Sequence, residues 1–300
     1  MSRRRDLFVL VFFILIFILL MYLVFGMMSS SVGLSEISLS SGEKVAIVNL
    51  IGPIYDSRPT LEQLDRVAES SAVKALVLRL ETPGGALAAS QEVYQRIAYL
   101  RDDLGIPVIA SMGNVAASGG YYVALAADTI VANAGSITGS IGVVMMLPAY
   151  YDLLEKIGID FRVIKSGKFK DTGSPYRSMS PDEAAYLQDF LDDGFQQFRE
   201  TVLQERDITS EDLEPVADGR IFTGRQALEL NLIDVIGGLD DAIRIAGEMG
   251  GIEGKPTTVV LEKKRKMTFI DLMFGDLEEI VFLKLGLGSP LRYEMPQLLP

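Results

Sequence analysis

The stretch PVIASMGNVAASGGYYVALAA, residues 107–127, decides the fold class of this chain. Its mostly apolar run over 107–111 predicts a strand, a glycine-rich junction follows, and 119–127 predicts a helix of small and aromatic residues. A strand that is apolar without alternation is covered on both faces, as in a sheet with helices on each side. The stretch therefore predicts one strand–helix unit of an α/β domain.

Further units of this kind flank the first one, which extends the α/β prediction to most of the chain. Ser180-Pro181-Asp182-Glu183 predicts the start of a long helix, because serine caps helices, proline suits their first position and acidic residues complement their dipole. The other predicted elements are strands at 45–51, 75–80, 129–132, 141–146 and 161–164 and helices at 60–70, 89–101 and near 150–157.

Histidine, cysteine and tryptophan are absent from the 300 residues. Without cysteine the chain has no disulfide, thiol nucleophile, thiolate zinc site or iron–sulfur cluster. Without histidine it has no Ser-His-Asp triad, no HExxH zinc helix and no imidazole base. If the protein is a hydrolase, its base is therefore a carboxylate, a lysine or a water on a metal held by oxygen ligands.

The formal net charge is −12, although residues 1–28 contain three arginines and one aspartate. The rest of the chain is therefore strongly acidic, whereas a phosphate-binding surface needs positive charge, so no nucleic acid is expected as a partner. The one basic run, Lys263-Lys264-Arg265-Lys266, is followed directly by acidic and apolar residues. That context favours a solvated turn over a binding patch.

Residues 7–28 form an uncharged, strongly apolar run. As a helix with a rise of about 1.5 Å per residue, the run spans roughly 33 Å, enough for a hydrocarbon core of about 30 Å. The alternative is a cleaved secretory signal, but such a signal has an apolar region of about 7–15 residues and a small-x-small site, which is missing here. The run therefore predicts an uncleaved anchor, and the arginines at 3–5 keep residues 1–6 in the cytoplasm and the domain beyond 28 outside it.

The C-terminal part is predicted to contain an amphipathic helix over 268–287 and a tail over 289–300. The helix is expected to dock on its own domain or on a neighbouring subunit. A membrane-surface helix is the alternative, but four acidic residues on its polar face disfavour anionic lipids. The tail has three prolines and no strong pattern, so it is expected to be extended or mobile.

Ser118, at the junction between strand and helix, is the candidate nucleophile. A helix N-terminus offers N–H groups and a dipole that favour a developing negative charge. Gly119 leaves its N–H open, and Gly85, or less favourably Gly84, follows the neighbouring strand and offers a second donor. Two such donors beside a serine form an oxyanion hole, although small residues at strand ends also serve close packing alone. Neither GxxxxGK[ST] nor GxGxxG is present, so a phosphate cradle is not predicted.

A lysine is the candidate base for such a serine. Burial lowers the pKa of a lysine from about 10.4 toward neutrality, because desolvation penalises the charged form, and Ser-Lys pairs are an established combination of nucleophile and base. The nearest downstream lysines are Lys165, Lys168 and Lys170. Spacing does not choose among them, and at least two are expected to be exposed loop residues.

Five short motifs resemble the signal peptide peptidase A family in order and spacing, over roughly residues 43–250. Each motif is modest alone, but the five in register make the resemblance specific. The predicted anchor and the length are similar to the short form of the family, which has one catalytic domain. The motifs are ETPGG at 81–85, AASGGYY at 116–122, TGSIGV at 138–143, KFKDTGSP at 168–175 and DGRIFTGRQA at 218–227.

The resemblance implies a fold related to the Clp protease proteolytic subunit and crotonase, a spiral of β-β-α units. It also implies a serine endopeptidase with a Ser-Lys dyad and with no metal and no cofactor. By motif position, it implies Ser118 as nucleophile and Lys170 as general base. It further implies Gly119 and Gly85, with Gly84 adjacent, as oxyanion donors, and Ser140 as the serine that orients the lysine.

The resemblance also implies a setting and an assembly. The implied substrates are remnant signal peptides and other unstructured hydrophobic peptides at the prokaryotic cytoplasmic membrane. Family members form rings or domes, and some complete each dyad with residues from adjacent subunits, so Ser118 and Lys170 need not meet within one chain. The tail over 289–300 is then hypothesised to lie in a neighbouring active-site groove.

The chain is thus predicted to divide at positions 6, 28, 42 and 254. The parts are a cytoplasmic segment (1–6), an anchor (7–28), a tether (29–42), a Ser-Lys protease domain (43–254) and a C-terminal strand, helix and tail (255–300). Two rival functions are a crotonase-like acyl-CoA enzyme, which also uses Gly-Gly oxyanion donors, and a membrane-anchored assembly scaffold without catalysis. Cleavage of an unstructured apolar peptide separates the protease from both.

Overall fold

The computed structural model describes residues 15–16, 42–261 and the backbone of 291–294. Residues 1–41 and 42–300 form two separate units. In the first unit Leu15 and Ile16 are helical. The rest of the predicted anchor, and the helix predicted over 268–287, lie outside the described residues. Within the described residues, no helix has both the length and the apolar character needed to cross a membrane.

A mostly parallel sheet organises the second unit. Its strands are β1 (Lys44–Ile51), β2 (Val73–Thr82), β4 (Val108–Ala117), β5 (Thr129–Ala132), β6 (Ile137–Gly139), β8 (Ile221–Thr223), β9 (Val235–Ile236) and β10 (Thr257–Leu261). The central path of the sheet runs in the order β10-β1-β2-β4-β5-β9, with every neighbouring pair parallel. The short strand β6 pairs in parallel with the end of β4, and β8 pairs antiparallel with β6.

Eight α-helices accompany the strands in the described part of the chain. The longest begins with the predicted cap: the Ser180 hydroxyl accepts from the Glu183 amide, and the Glu183 carboxylate accepts from the Ser180 amide. The helices are α1 (Arg58–Glu69), α2 (Leu87–Ala98, extended by a π-turn), α3 (Gly119–Ala124), α4 (Tyr151–Lys156), α5 (Pro181–Glu205), α6 (Ser210–Leu213), α7 (Gly224–Glu229) and α8 (Leu239–Met249).

Both faces of the parallel sheet are covered. Val45 and Ile47 of β1 belong to a core cluster with residues of α8, and the alternate residues Ala46 and Val48, on the other face of the strand, are fully buried as well. Successive side chains of a strand point to opposite faces. The sheet is therefore the middle layer of the unit, as continuous apolar strands predict.

A second sheet, antiparallel and of three strands, has the order β3-β11-β7, with β3 at Gly84–Ala86, β7 at Val144–Met145 and β11 at Leu291–Glu294. β11 belongs to the C-terminal tail and pairs with β3 on one side and β7 on the other. In this structure the tail strand therefore pairs within its own chain. The hypothesis that the tail lies in a neighbouring active-site groove stays a prediction.

The predicted α/β class with a mainly parallel sheet is confirmed, and so are the strands predicted at 45–51, 75–80 and 129–132. The strand predicted at 161–164 is wrong, because that apolar run is exposed and has no ladder partner in the described chain. The one predicted over 141–146 is reduced to Val144–Met145. The finer arrangement, a spiral of β-β-α units, stays a prediction.

Two isoleucines on the same face of β1 test how far the core governs stability. Ile47 is buried in the core cluster, whereas Ile51, four positions along, is 72% exposed. Ile47→Ala is expected to lower the free energy of unfolding by about 2–5 kcal/mol, because it leaves a cavity. Ile51→Ala is expected to cost less than about 1 kcal/mol. Urea unfolding followed by circular dichroism, at fixed protein concentration, measures both, and equal losses would contradict this account of the core.

Candidate active site

Ser118 occupies a constrained turn between β4 and α3. Its backbone has φ 53° and ψ −118°, a conformation that costs a non-glycine residue about 1–3 kcal/mol and that clusters at functional sites. The Ser118 amide donates to the Gly139 carbonyl at 2.8 Å, and the Tyr122 amide donates to the Ser118 carbonyl at 2.9 Å. Hydrogen bonds on both sides therefore hold the residue in this conformation.

The hydroxyl of Ser118 is buried and has no hydrogen-bond partner among the described residues. The residue as a whole is 1% exposed. A buried hydroxyl without a partner costs about 1–3 kcal/mol, and such groups in folded proteins call for a functional explanation. The Oγ atom is thus available to a proton acceptor that is not part of this arrangement.

Gly119 and Gly120 begin α3 directly after this serine. The first N–H groups of a helix have no partner within the helix, so the Gly119 amide can bind an anion. A Cβ atom on Gly120 would lie 2.6 Å from the Thr82 methyl. The helix start is therefore packed against the end of β2, and only glycine fits there without displacement.

The glycine pair of β3 presents its two amides to different partners. The Gly84 amide donates to Thr82 Oγ1 at 3.1 Å. The Ile54 amide donates to the Gly84 carbonyl, and the Ala86 amide donates to the Ile54 carbonyl, both at 2.8 Å. Because N–H groups alternate between the two edges of a strand, the Gly85 amide faces the opposite edge, on which β11 lies.

Gly85 is also required by the space around it. A Cβ atom at this position would lie 2.3 Å from the Ile54 carbonyl oxygen. No side chain avoids that backbone atom without moving the strand. The motif ETPGG therefore has a steric reason for its second glycine, in addition to the direction of its amide.

Ser140 lies beside Ser118. The paired register of β4 and β6 ends at Ala117 opposite Gly139, and each serine is the first residue after its strand. Ser140 is buried, has φ 54°, and donates its amide to the Arg220 carbonyl at 2.8 Å. The structure thus brings Ser118, Gly119, Gly85 and Ser140 to one place, at the carboxyl ends of β2, β4 and β6.

A cavity of about 590 Å³ adjoins Ser140. Ile141, Leu191 and Phe195 contribute apolar walls, and Asp192 and Asp218 also line it. The side-chain and backbone hydrogen bonds of Arg220 lower the pKa of Asp218 to about 2. The cavity therefore combines an apolar surface with a carboxylate that is ionised at neutral pH.

Lys170 is not part of this group within a single chain. It is exposed, and the Ser118 hydroxyl has no partner. The neighbouring lysines are engaged: Lys165 pairs with Asp171, and Lys168 pairs with Asp182. Of these three lysines only Lys170 has no ion pair or hydrogen bond from its amine within residues 42–261.

Sequence reasoning missed an ionic cluster next to Lys170. Arg177 bonds to the carboxylates of Asp171 and Glu183. Arg177, together with Lys165, holds the pKa of Asp171 well below its usual range, and Arg177 and the Ser180 amide do the same for the pKa of Glu183. A signal was present in the sequence, since Arg177 lies three residues before the cap serine at position 180, but its two partners are set by the loop conformation.

The described residues hold no cluster of three carboxylates that could bind a metal ion. The groups that the structure brings together are two serines and backbone amides. These groups can perform nucleophilic attack and stabilise an oxyanion. A proton acceptor for the Ser118 hydroxyl must come from elsewhere.

Several similar proteins are named as proteases or peptidases. A putative protease of Synechocystis sp. is 41% identical over 215 residues, which is 71% of this chain and 77% of that protein. A putative protease of Methanocaldococcus jannaschii is 33% identical over 241 residues, 75% of this chain and 77% of that protein. A putative signal peptide peptidase SppA of Enterococcus faecium is 37% identical over 189 residues, 63% of this chain and 55% of that protein.

The family profile agrees with these relatives. Residues 101–252, which include Ser118, Ser140 and Lys170, match the profile of peptidase family S49. The resemblance to the signal peptide peptidases is thereby confirmed. This chain belongs to peptidase family S49, a family of serine proteases.

Proposed function

We propose that this protein is an endopeptidase that cleaves unstructured, apolar peptides with Ser118 as nucleophile and Lys170 as general base. The observation that carries the proposal is the buried Ser118 hydroxyl, which has no partner in the described chain and lies in a strained turn before a helix. Membership of a serine protease family supports this class of reaction, and Ser118 lies within the residues that match the family profile. Lys170 is favoured over its neighbours because Lys165 and Lys168 are committed to carboxylates.

The reaction follows from these groups. The Ser118 oxygen attacks the scissile carbonyl carbon while its proton passes to the neutral Lys170 amine, and the Gly119 and Gly85 amides bind the resulting oxyanion. The C–N bond then breaks, and the leaving amine takes the proton from the lysine. A water molecule attacks the ester in the second half, giving its proton to Lys170, and Ser118 leaves with that proton as the acid product departs. Ser140, beside Ser118, orients the lysine amine.

Lys170 reaches Ser118 of a second copy of the chain in this proposal. Every residue from 155 to 170 is exposed, including six large apolar side chains, among which Ile164 is fully exposed. Contiguous exposed apolar surface of this kind marks an interface. Burial of this segment against another copy in a ring-shaped homo-oligomer would remove the lysine from water and favour its neutral form.

The groove between β3 and β7 is the proposed substrate site. β11 occupies it as an extended strand, with Tyr293 opposite Gly85. A peptide bound in the same way would place its backbone beside the proposed oxyanion donor, and the cavity next to Ser140 would receive a side chain. Pairing of this type uses main-chain hydrogen bonds for affinity and pockets for selectivity.

The location and substrate class are part of the proposal. The apolar run over 7–28 would anchor the chain in the prokaryotic cytoplasmic membrane, with the catalytic domain on the outer side. Remnant signal peptides are released in that membrane and are apolar and unstructured. An acyl-CoA enzyme of similar fold would not need its catalytic domain on the outer side of the membrane. A scaffold without catalysis would not need a serine in a strained turn with a buried hydroxyl that has no hydrogen-bond partner in the described chain.

Ser118→Ala and Lys170→Ala are each expected to abolish cleavage of an unstructured apolar peptide by the purified full-length chain, since nucleophile and base act as a unit. Lys168→Ala, on the same loop, is the matched control and is expected to retain the wild-type rate, because its amine pairs with Asp182. Fluorescent peptide hydrolysis measures the rates, and circular dichroism checks the fold. A dead Lys168 variant beside an active Lys170 variant would assign the base differently.

Mixing the two inactive variants tests where the dyad is completed. If serine and lysine come from different copies, mixed oligomers of Ser118→Ala and Lys170→Ala chains contain some sites with both groups intact. Random mixing at equal amounts restores about a quarter of the wild-type sites. Each variant alone, carried through the same dissociation and mixing, is the control. No recovered activity, with mixing verified by mass, would place both groups in one chain.

The tail in the groove predicts self-processing. Intact-mass spectrometry of the purified wild-type chain is expected to show loss of residues near the C-terminus, because β11 lies beside Gly85. Ser118→Ala is expected to keep the full tail. Identical masses for the two preparations would reject the tail as a substrate of this site.

A further inference from the structure

The loop that carries Lys170 is held by an ionic cluster made of Lys165, Asp171, Arg177 and Glu183. The Arg177 Nε atom donates to the Asp171 carboxylate at 2.8 Å, and another nitrogen of the same guanidinium donates to the Glu183 carboxylate at 2.8 Å. The Lys165 amine bonds to the other side of Asp171 and donates to the Lys168 carbonyl at 2.9 Å. The residue directly after Lys170 is therefore fixed from two directions.

This cluster is anchored to the start of α5. The Glu183 side chain is only 4% exposed, and its carboxylate accepts from the amide and the hydroxyl of Ser180 at 2.9 and 3.0 Å. Arg177 also donates to the carbonyls of Asp171 and Ser178. One guanidinium thus joins the backbone beside Lys170 to a capped, 25-residue helix.

We infer that Arg177 is a positioning residue that fixes the direction of Lys170 toward the serine of a second copy. The inference rests on the proposed function, because it takes Lys170 as the base. A lysine has four rotatable bonds, and proton transfer requires its amine within hydrogen-bond reach of the serine. A base displaced by about 1 Å can lower the rate about 100-fold, so the backbone at 170–171 must be held in place.

Arg177 has a second effect on Lys170, through the carboxylate of Asp171. That carboxylate is shared between Arg177 and Lys165 and makes no ion pair with the adjacent Lys170 amine. If Arg177 were lost, Lys165 would still hold one carboxylate oxygen, and the other oxygen, left without its partner, would favour the ammonium form of Lys170, which cannot act as a base. The charged and titratable groups around the loop are Lys165, Lys168, Asp171, Tyr176 and Arg177 on the loop itself, and Asp182, Glu183 and Tyr186 on α5.

The test is the pH dependence of peptide cleavage by the full-length chain with Arg177→Gln and Arg177→Lys. We expect kcat of Arg177→Gln to fall about 10- to 100-fold near pH 7, with KM changed less than about two-fold. The acidic limb of its pH–rate profile is expected to move to higher pH, so that the loss is smaller near pH 9.5. Arg177→Lys is expected to be intermediate, because one amine cannot bridge two carboxylates as a guanidinium does.

The double variant Asp171→Asn with Arg177→Gln separates the two effects. Its kcat is expected to stay low, because the loop is still loose, whereas its acidic limb is expected to return toward the wild-type position, because the competing carboxylate is gone. A purely structural role for Arg177 would not move the limb in this way. If Arg177→Gln does not fold, Arg177→Lys alone must show the lower kcat near pH 7 with an unchanged KM.

Arg244→Gln is the matched control. Arg244 also pairs with two carboxylates, Asp241 and Glu248, but on the exposed side of α8, and its substitution is expected to leave kcat and the pH profile unchanged. Wild-type kcat in Arg177→Gln, or a loss that appears only in KM, would overturn the inference. If Lys170→Ala is inactive while Arg177→Gln is fully active, only the positioning role fails. If Lys170→Ala cleaves normally, the proposed dyad itself fails.

Discussion

The hydrogen bond from the Ser118 amide to the Gly139 carbonyl holds the end of β4 against the end of β6, and the candidate site depends on it. It draws the chain into a turn with positive φ, which a serine adopts only under constraint from its surroundings. The same pairing sets Ser140 next to Ser118. Close packing of Gly120 against Thr82 then directs the helix start, and with it the Gly119 amide, toward the same point.

The site has two parts with different physical character. Ser118 and its neighbours are buried, and several backbone contacts fix their conformation, whereas Lys170 lies on an exposed segment with apolar side chains. In the proposed mechanism, such a division leaves a single chain without a paired nucleophile and base. In the proposed assembly, the association that buries the apolar segment also desolvates the lysine, so catalysis requires assembly.

Much of the fold and half of the site follow from local sequence patterns. Continuous apolar runs identify the parallel strands, and the ordinary chemistry of caps and glycines identifies the start of α5 and the environment of Ser118. The rest depends on contacts between distant parts of the chain. The apolar run at 161–164 has the composition of a strand but lacks a partner strand, and the tail pairs with β3 and β7 although its own sequence has no strand pattern. Spacing alone does not choose among the three lysines: the motif resemblance implies Lys170, and the ion pairs of Lys165 and Lys168 give a physical reason that sequence does not show.

The position of β11 between β3 and β7 has a consequence for selection among cellular proteins. The groove between two strands accepts only a peptide whose backbone N–H and C=O groups are unpaired along both edges. A helix bonds its backbone internally, and a strand inside a folded sheet has both edges taken, so neither can enter. In the proposed function, folded domains would thus be excluded by backbone geometry, whereas an extended peptide could enter and would then be selected by its side chains.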